Sequence, residues 1–214
     1  VLNRTALKGS LLVLIGRIQK VASRDDMQSK EMQMTDFTLY TEDTAPQTTK
    51  ATLAKVKGMY GMIPNLYGYL AESPVALNAY LHINEQLMKH SSLSPVQVQV
   101  ALLAISEVNG CEFCIAAHSW VGDTLKASEQ TVAAIRDGAE IEDTQDRALV
   151  NLVRAVVSER GHIGDGVMAE FLGAGFSKEN MFDLLVCNML KSLSNYANHI
   201  TKTQVNPELE AFKR

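Results

Sequence analysis

Ser94-Pro95-Val96-Gln97-Val98-Gln99-Val100-Ala101-Leu102-Leu103-Ala104-Ile105-Ser106-Glu107-Val108-Asn109-Gly110-Cys111-Glu112-Phe113-Cys114-Ile115-Ala116-Ala117-His118 is the stretch that decides the fold. It opens on a helix start signal, because Ser supplies a capping oxygen and Pro fits the first helical position. The run Val100 to Ile105 is apolar nearly all round, so the helix that carries it should be central and buried. Asn109-Gly110 ends that helix, since Gly tolerates the left-handed backbone of a C-terminal cap. Cys111 to Cys114 then form the first turn of the next helix, expected to reach Lys126. Three helical residues advance by about 300° and seven by about 700°, so Cys111, Cys114 and His118 fall within roughly a 60° arc. Cys114 and His118 are i,i+4 neighbours on it.

Outward from this stretch the pattern stays helical. Pro46 opens a helix to about Tyr60, broken by Gly58, Gly61 and Pro64. A short helical turn follows to Leu70. Ser73-Pro74 repeats the start signal, and Leu77, Tyr80, Leu81, Ile83, Leu87 and Met88 give its helix an apolar stripe. Downstream, Ser128 caps a helix ended by Gly138. Asp143 or Thr144 opens another to Arg160, with Leu149, Leu152, Val153, Val156 and Val157 facing inward. A short helix spans Gly166 to Leu172. Ser177 caps the last long helix, to about Thr201, carrying Phe182, Leu184, Leu185, Val186, Met189 and Leu190. The tail from Lys202 is polar. Strand-like alternation is nearly absent, so the fold class is all-α, a single-domain helical bundle.

A chain of 214 residues fills one domain well and would cramp two. Its net charge of −4, with acids and bases scattered, offers no patch for nucleic acid or an anionic membrane. No apolar run reaches the roughly 20 residues that span a bilayer. Three cysteines, two of them in one C-x-x-C, do not make an extracellular disulfide framework. A reducing compartment is expected, with the cytoplasm as its plain form. The segment 1–45 reads as an extension or irregular arm, and 46–214 as the helical domain. Val1 to Arg24 carries Arg4, Lys8, Arg17, Lys20 and Arg24 and no acid. It reads either as a targeting presequence or, preferred here, as a non-native or upstream extension, with Met27, Met32 or Met34 as the true start.

The cysteine face carries chemistry. A thiolate is the nucleophilic form of cysteine, and the unpaired N–H groups and dipole of a helix N-terminus favour an anion. An i,i+3 pair on a first turn has Cα atoms about 5–6 Å apart, which a disulfide can bridge. His118 would stand beside Cys114, able to take its proton or pair with the thiolate. Two blander readings stay open. Cys111, Cys114 and His118 could be three zinc ligands, although no paired fourth ligand is evident, or the cysteines could be an inert buried pair. No metal and no cofactor is expected.

Gly110 to His118, with Leu93-Ser94-Pro95 and an apolar helix before it, resembles the C-x-x-C-x-x-x-H signature of the alkylhydroperoxidase D-like, carboxymuconolactone decarboxylase family. Gly61-Met62-Ile63-Pro64-Asn65-Leu66 with Ser73-Pro74, and Leu193-Ser194-Asn195-Tyr196-Ala197-Asn198-His199, resemble the flanks of its peroxidase-related branch. The resemblance covers Pro46 to Phe212 and implies an all-α fold of the alkylhydroperoxidase D type, commonly trimeric or hexameric. It implies a thiol-dependent peroxidase: Cys114 attacks a hydroperoxide, Cys111 resolves the sulfenic acid as a disulfide, and His118 serves a proton relay. An external dithiol, such as a lipoylated protein, then restores the thiols.

The family's relay often has a glutamate where this chain has Gln99, and can use a histidine where it has Phe113. Gln hydrogen-bonds but exchanges no proton near neutral pH. Glu107 is the nearest ionisable substitute, and Glu112 is adjacent. Gln99 and Glu107 are therefore the candidate relay positions. Cys187 reads as a small buried apolar residue, and Trp120 as core or pocket wall. Ser194 to His199 reads as lining the pocket or a subunit interface. Two rival functions are a lactone-processing decarboxylase that shares the fold and a non-enzymatic dithiol redox sensor.

Overall fold

The computed structural model describes residues 36–214; the extension or presequence expected over residues 1–33 lies outside them. The helices are α1 Gln47–Tyr60, α2 Asn65–Leu70, α3 Pro74–His90, α4 Pro95–Val108 and α5 Glu112–Thr124. They continue with α6 Glu129–Asp137, α7 Thr144–Ser158, α8 Asp165–Gly173 and α9 Lys178–Thr201. A 3₁₀ helix, Pro207–Phe212, closes the chain. No strand occurs among the described residues, and no helix among them is long and apolar enough to cross a membrane.

Side-chain caps start five of these helices where the sequence predicts. Ser73, Ser94, Ser128, Asp143 and Ser177 each accept a hydrogen bond from a backbone N–H in their helix's first turn. Ser94 and Gln97 form a reciprocal capping box, as do Ser177 and Asn180. Ser94→Ala removes the oxygen that caps α4. A loss of about 1 kcal/mol is expected, read as a fall of roughly 2–4 °C in melting temperature for a domain of this size.

The core sits on α4. Every residue from Val98 to Ser106 is buried, and α3, α5, α6, α7 and α9 all pack around it. Buried Ser106 stays satisfied by donating to Leu102 O at 2.6 Å. α7 turns Leu149, Leu152, Val153 and Val156 inward, as its periodicity requires, with Val157 at the edge. α9 departs from its apolar reading. Leu184, Cys187 and Leu190 face in, but Phe182, Leu185 and Met189 are exposed. The inner face is continued by Lys191, Ser194, Asn195 and Asn198, all buried. The polar stripe of this helix is the one aimed at the protein interior.

The segments that flank the helices among the described residues are tied down. Tyr40 N–H donates to Gly68 O, and Tyr40 O–H donates to Glu72 at 2.7 Å. A Cβ at Gly68 would lie 2.7 Å from Tyr40 O, so glycine is what lets this arm reach α2. The polar tail is more ordered than its composition predicts. Asn206 accepts from Asn65 N–H at 2.8 Å and donates to Ile63 O at 3.2 Å. That clasp holds the 3₁₀ helix against α5 and buries Leu209. Thr38–Arg214 form one compact unit.

Candidate functional site

The α4–α5 connection sets the cysteines. Gly110 takes a φ of +65°, and Cys111 N–H donates back to Ser106 O at 2.9 Å. Cys111 is thereby extended, with φ −93° and ψ 91°, and is the N-cap of α5 rather than its first helical residue. Cys114 lies in the first turn. The helix stops at Thr124, short of the expected Lys126, which itself adopts a left-handed φ of 62°.

Both cysteines are free thiols, and one amide group spans them. Asn198 Nδ2 donates to Cys114 Sγ at 3.2 Å and to Cys111 Sγ at 3.6 Å. Asn109 Nδ2 donates to Asn195 Oδ1 at 2.9 Å, pinning the end of α4 to the same face of α9. Ser194 Oγ lies 4.0 Å from Cys114 Sγ. The two sulfurs have different surroundings. Cys114 lines a cavity of about 160 Å³, whereas Cys111 sits behind it, outside the lining. The cavity wall is mostly aromatic and apolar, with Tyr60, Tyr67, Tyr80, Phe113, Met88 and Trp120. Tyr67 packs edge-on against Tyr80, and Tyr60 leans on both Tyr67 and Trp120. Leu209 and Pro64 complete it, which gives the closing 3₁₀ helix a place in the site.

His118 is in the wall as well, but not as a direct partner of Cys114. Lys191 Nζ lies 2.9 Å from His118 Nε2, and His118 Nδ1 lies 2.9 Å from Gln99 Oε1. An ammonium has only donors, so Nε2 accepts from Lys191 and Nδ1–H donates to Gln99. Gln99 Nε2 in turn donates to Met88 Sδ at 3.3 Å, which fixes the amide's orientation. Both ring nitrogens are occupied, which corrects the expectation that the imidazole stands ready to take the Cys114 proton. Burial, with the Lys191 charge adding to it, holds the His118 pKa well below the usual imidazole range. The ring is neutral and oriented.

Burial is the largest influence on Cys114 and would raise its pKa. The hydrogen bond from Cys111, the Lys191 charge and hydrogen bond, and Ser194 together outweigh it, and the thiol is pulled down to about 5. Cys111 is pushed up, first by its hydrogen bond to Cys114, then by burial and the Cys114 charge. One thiolate and one thiol is the resulting state, with the thiolate on the cavity side.

The remaining sequence candidates separate. Gln99 joins the site through His118. Glu107 does not: its carboxylate faces Arg154 at 3.4 Å and Arg214 at 3.7 Å, and it is not in the cavity wall. This corrects its reading as a relay group; two guanidiniums already hold it. Glu112 is exposed. Trp120 lines the cavity. Cys187 is buried, and burial followed by the charge of Asp183 pushes it up to about 12, an inert thiol. Within the 194–199 segment, Ser194, Asn195 and Asn198 face inward, while His199 is exposed. Lys191 is the functional residue that motif reading misses. Its only signal is its spacing: three residues before Ser194 and seven before Asn198, it falls on their stripe.

Residues 74–156 match the carboxymuconolactone decarboxylase family model. The fold is that of solved peroxidase-related proteins. One, described as an alkylhydroperoxidase AhpD core from Ralstonia eutropha, has a TM-score of 0.72 at 19% identity, covering 81% of this chain and 93% of its own. Another, from a Silicibacter species, has a TM-score of 0.70 at 20% identity, covering 83% and 94%. The debrominase Bmp8, solved in complex with 2,3,4-tribromopyrrole, has a TM-score of 0.69 at 15% identity, covering 82% and 94%. Among curated proteins none matches the sequence. The family resemblance and the all-α fold read from the sequence are both borne out.

Proposed function

We propose, from the carboxymuconolactone decarboxylase match over residues 74–156 and the AhpD-like fold, that this protein is a thiol-dependent peroxidase for apolar organic hydroperoxides. The observation that carries the reading is the asymmetry of the dithiol. A low-pKa Cys114 faces an aromatic cavity, and a higher-pKa Cys111 stands behind it under the same Asn198 amide.

Cys114 thiolate attacks the distal oxygen of the hydroperoxide. An S–O bond forms as the O–O bond breaks, two electrons pass from sulfur, the distal oxygen keeps its hydrogen as the sulfenic acid, and the leaving alkoxide takes a proton from water. Cys111 thiol then condenses with the sulfenic acid, forming the disulfide and releasing water. An external dithiol, such as a lipoylated protein, reduces the disulfide by exchange. His118 assists by holding its neighbours in place rather than by proton abstraction. The exposed Phe182, Leu185, Met189, Tyr196 and Ile200 on one side of α9 support self-association, as a trimer or hexamer.

The test is intact-mass and peptide mapping of the reduced protein after one equivalent of cumene hydroperoxide, with turnover measured under excess dihydrolipoamide. A Cys111–Cys114 disulfide and multiple turnovers are expected. Free thiols throughout would sink the reading. The aromatic wall favours one second substrate class for the same dithiol, a halogenated aromatic ring. Two thiols would replace C–Br by C–H, with bromide leaving and the disulfide forming. Bromide release from a bromopyrrole in the absence of peroxide turnover would select it.

A further inference from the structure

Lys191 is 0% exposed, and it is the one buried lysine, arginine or carboxylate side chain among the described residues. Long charged side chains are almost never fully buried unless paired. None of the ion pairs among the described residues includes it. Its ammonium donates to His118 Nε2, a neutral acceptor that carries no compensating charge. The group able to supply a negative charge at this spot is Cys114, one turn before His118 on α5 and with its sulfur 4.0 Å from Ser194 Oγ, one turn after Lys191 on α9. A buried cation left without an anion is strongly destabilising, so this arrangement is balanced only while Cys114 is a thiolate.

We infer that Lys191 is the counter-ion of the Cys114 thiolate, aimed by the His118–Gln99 pair, and that it holds the dithiol toward its reduced state. The inference rests on reading Cys111 and Cys114 as a redox pair. It also accounts for Gln99. A carboxylate there would supply a second anion across the imidazole and draw charge from Lys191. An amide oxygen fixes the same histidine tautomer with no charge at all. Sulfenic acid or disulfide formation removes the thiolate and leaves the ammonium uncompensated. The reduced site is therefore favoured, which makes the disulfide a stronger oxidant. Lys191 is a positioning residue by this account, since it acts through the state of Cys114.

The titratable groups around Cys114 are Cys111 at the N-cap of α5, Lys191 from α9, Tyr80 from α3 and Tyr67 from α2, with His118 of α5 reached through Lys191. Burial keeps both tyrosines as neutral phenols, the Cys111 thiol is pushed up, and His118 is held neutral. Between pH 5 and 9 the reactivity of the site thus reports Cys114.

The test needs no peroxide, so it can fail or succeed apart from the proposed reaction. The rate of iodoacetamide alkylation at Cys114, located by mass spectrometry, is followed from pH 4.5 to 10. The wild-type profile should half-saturate near pH 5. In Lys191→Met it should move up by at least about two units, so that the rate at pH 6 falls by about tenfold or more. Lys191→Arg keeps the charge and should stay nearer the wild type. The dithiothreitol exchange equilibrium of Lys191→Met should shift toward disulfide by about tenfold, or about 30 mV. A Lys191→Met profile that overlays the wild type overturns the inference. If that variant does not fold, the wild type still decides: half-saturation at pH 8 or above overturns it.

Discussion

Replacing Cys114 by serine lowers hydroperoxide turnover by about three orders of magnitude or more, the scale seen when a catalytic nucleophile is removed. Serine is nearly isosteric with cysteine, so the cavity wall and the Asn198 contact survive. What disappears is the anion. A cysteine held at a pKa of about 5 is a thiolate at neutral pH, whereas an alcohol is not ionised there by one ammonium and one amide. Cys111→Ser should behave differently. Cys111 is outside the cavity wall, and its thiol is pushed up by Cys114 itself. That variant should consume one equivalent of hydroperoxide in a burst, hold Cys114 as a sulfenic acid trapped by dimedone, and then stop. Peroxide consumption under excess dithiol and intact mass read both outcomes. A burst in Cys114→Ser would exchange the roles of the two cysteines, and wild-type turnover in it would remove the thiol cycle altogether.

The legible and illegible parts of this site differ in sequence distance. Cys111, Cys114 and His118 share one local turn, so spacing alone groups them, and helix starts such as Ser94-Pro95 are equally local. The groups that set the chemistry of that turn come from α9. Lys191, Ser194 and Asn198 lie about eighty residues downstream. Their helix reads as apolar because leucine, methionine and phenylalanine are dense in it. Burial divides those residues by face, sending Phe182 and Met189 outward and the polar stripe inward. Periodicity at 184, 187, 191, 194 and 198 is present in the sequence, but hydrophobicity assigns the wrong side when a buried face is built for a site. The tail escapes a composition-based reading for a related reason. It is polar, yet Asn206 spends its side chain on backbone groups of the α1–α2 connection, and that brings Leu209 to the cavity.

Leu102→Ala should destabilise the domain by about 2–5 kcal/mol, the range for deleting a fully buried leucine whose cavity cannot collapse. Leu102 is 0% exposed at the middle of α4, and α4 is enclosed by α3, α5, α6, α7 and α9. Helices anchored on several sides cannot all move inward to fill one void, so the upper half of the range is expected. The backbone is unaffected, since Ser106 Oγ donates to the Leu102 carbonyl rather than to its side chain. Val75→Ala is the matched control, being 80% exposed on α3; a surface change of that kind stays within about 0.5 kcal/mol. Urea denaturation at unchanged m-value separates the two. Equal midpoints for both variants would deny α4 its central role. The loss should also reach the site. Ser106, one turn beyond Leu102, accepts from Cys111 N–H and so sets the turn that presents both sulfurs. A loosened α4 should therefore raise the Cys114 alkylation midpoint as well as lower stability, whereas Val75→Ala should move neither.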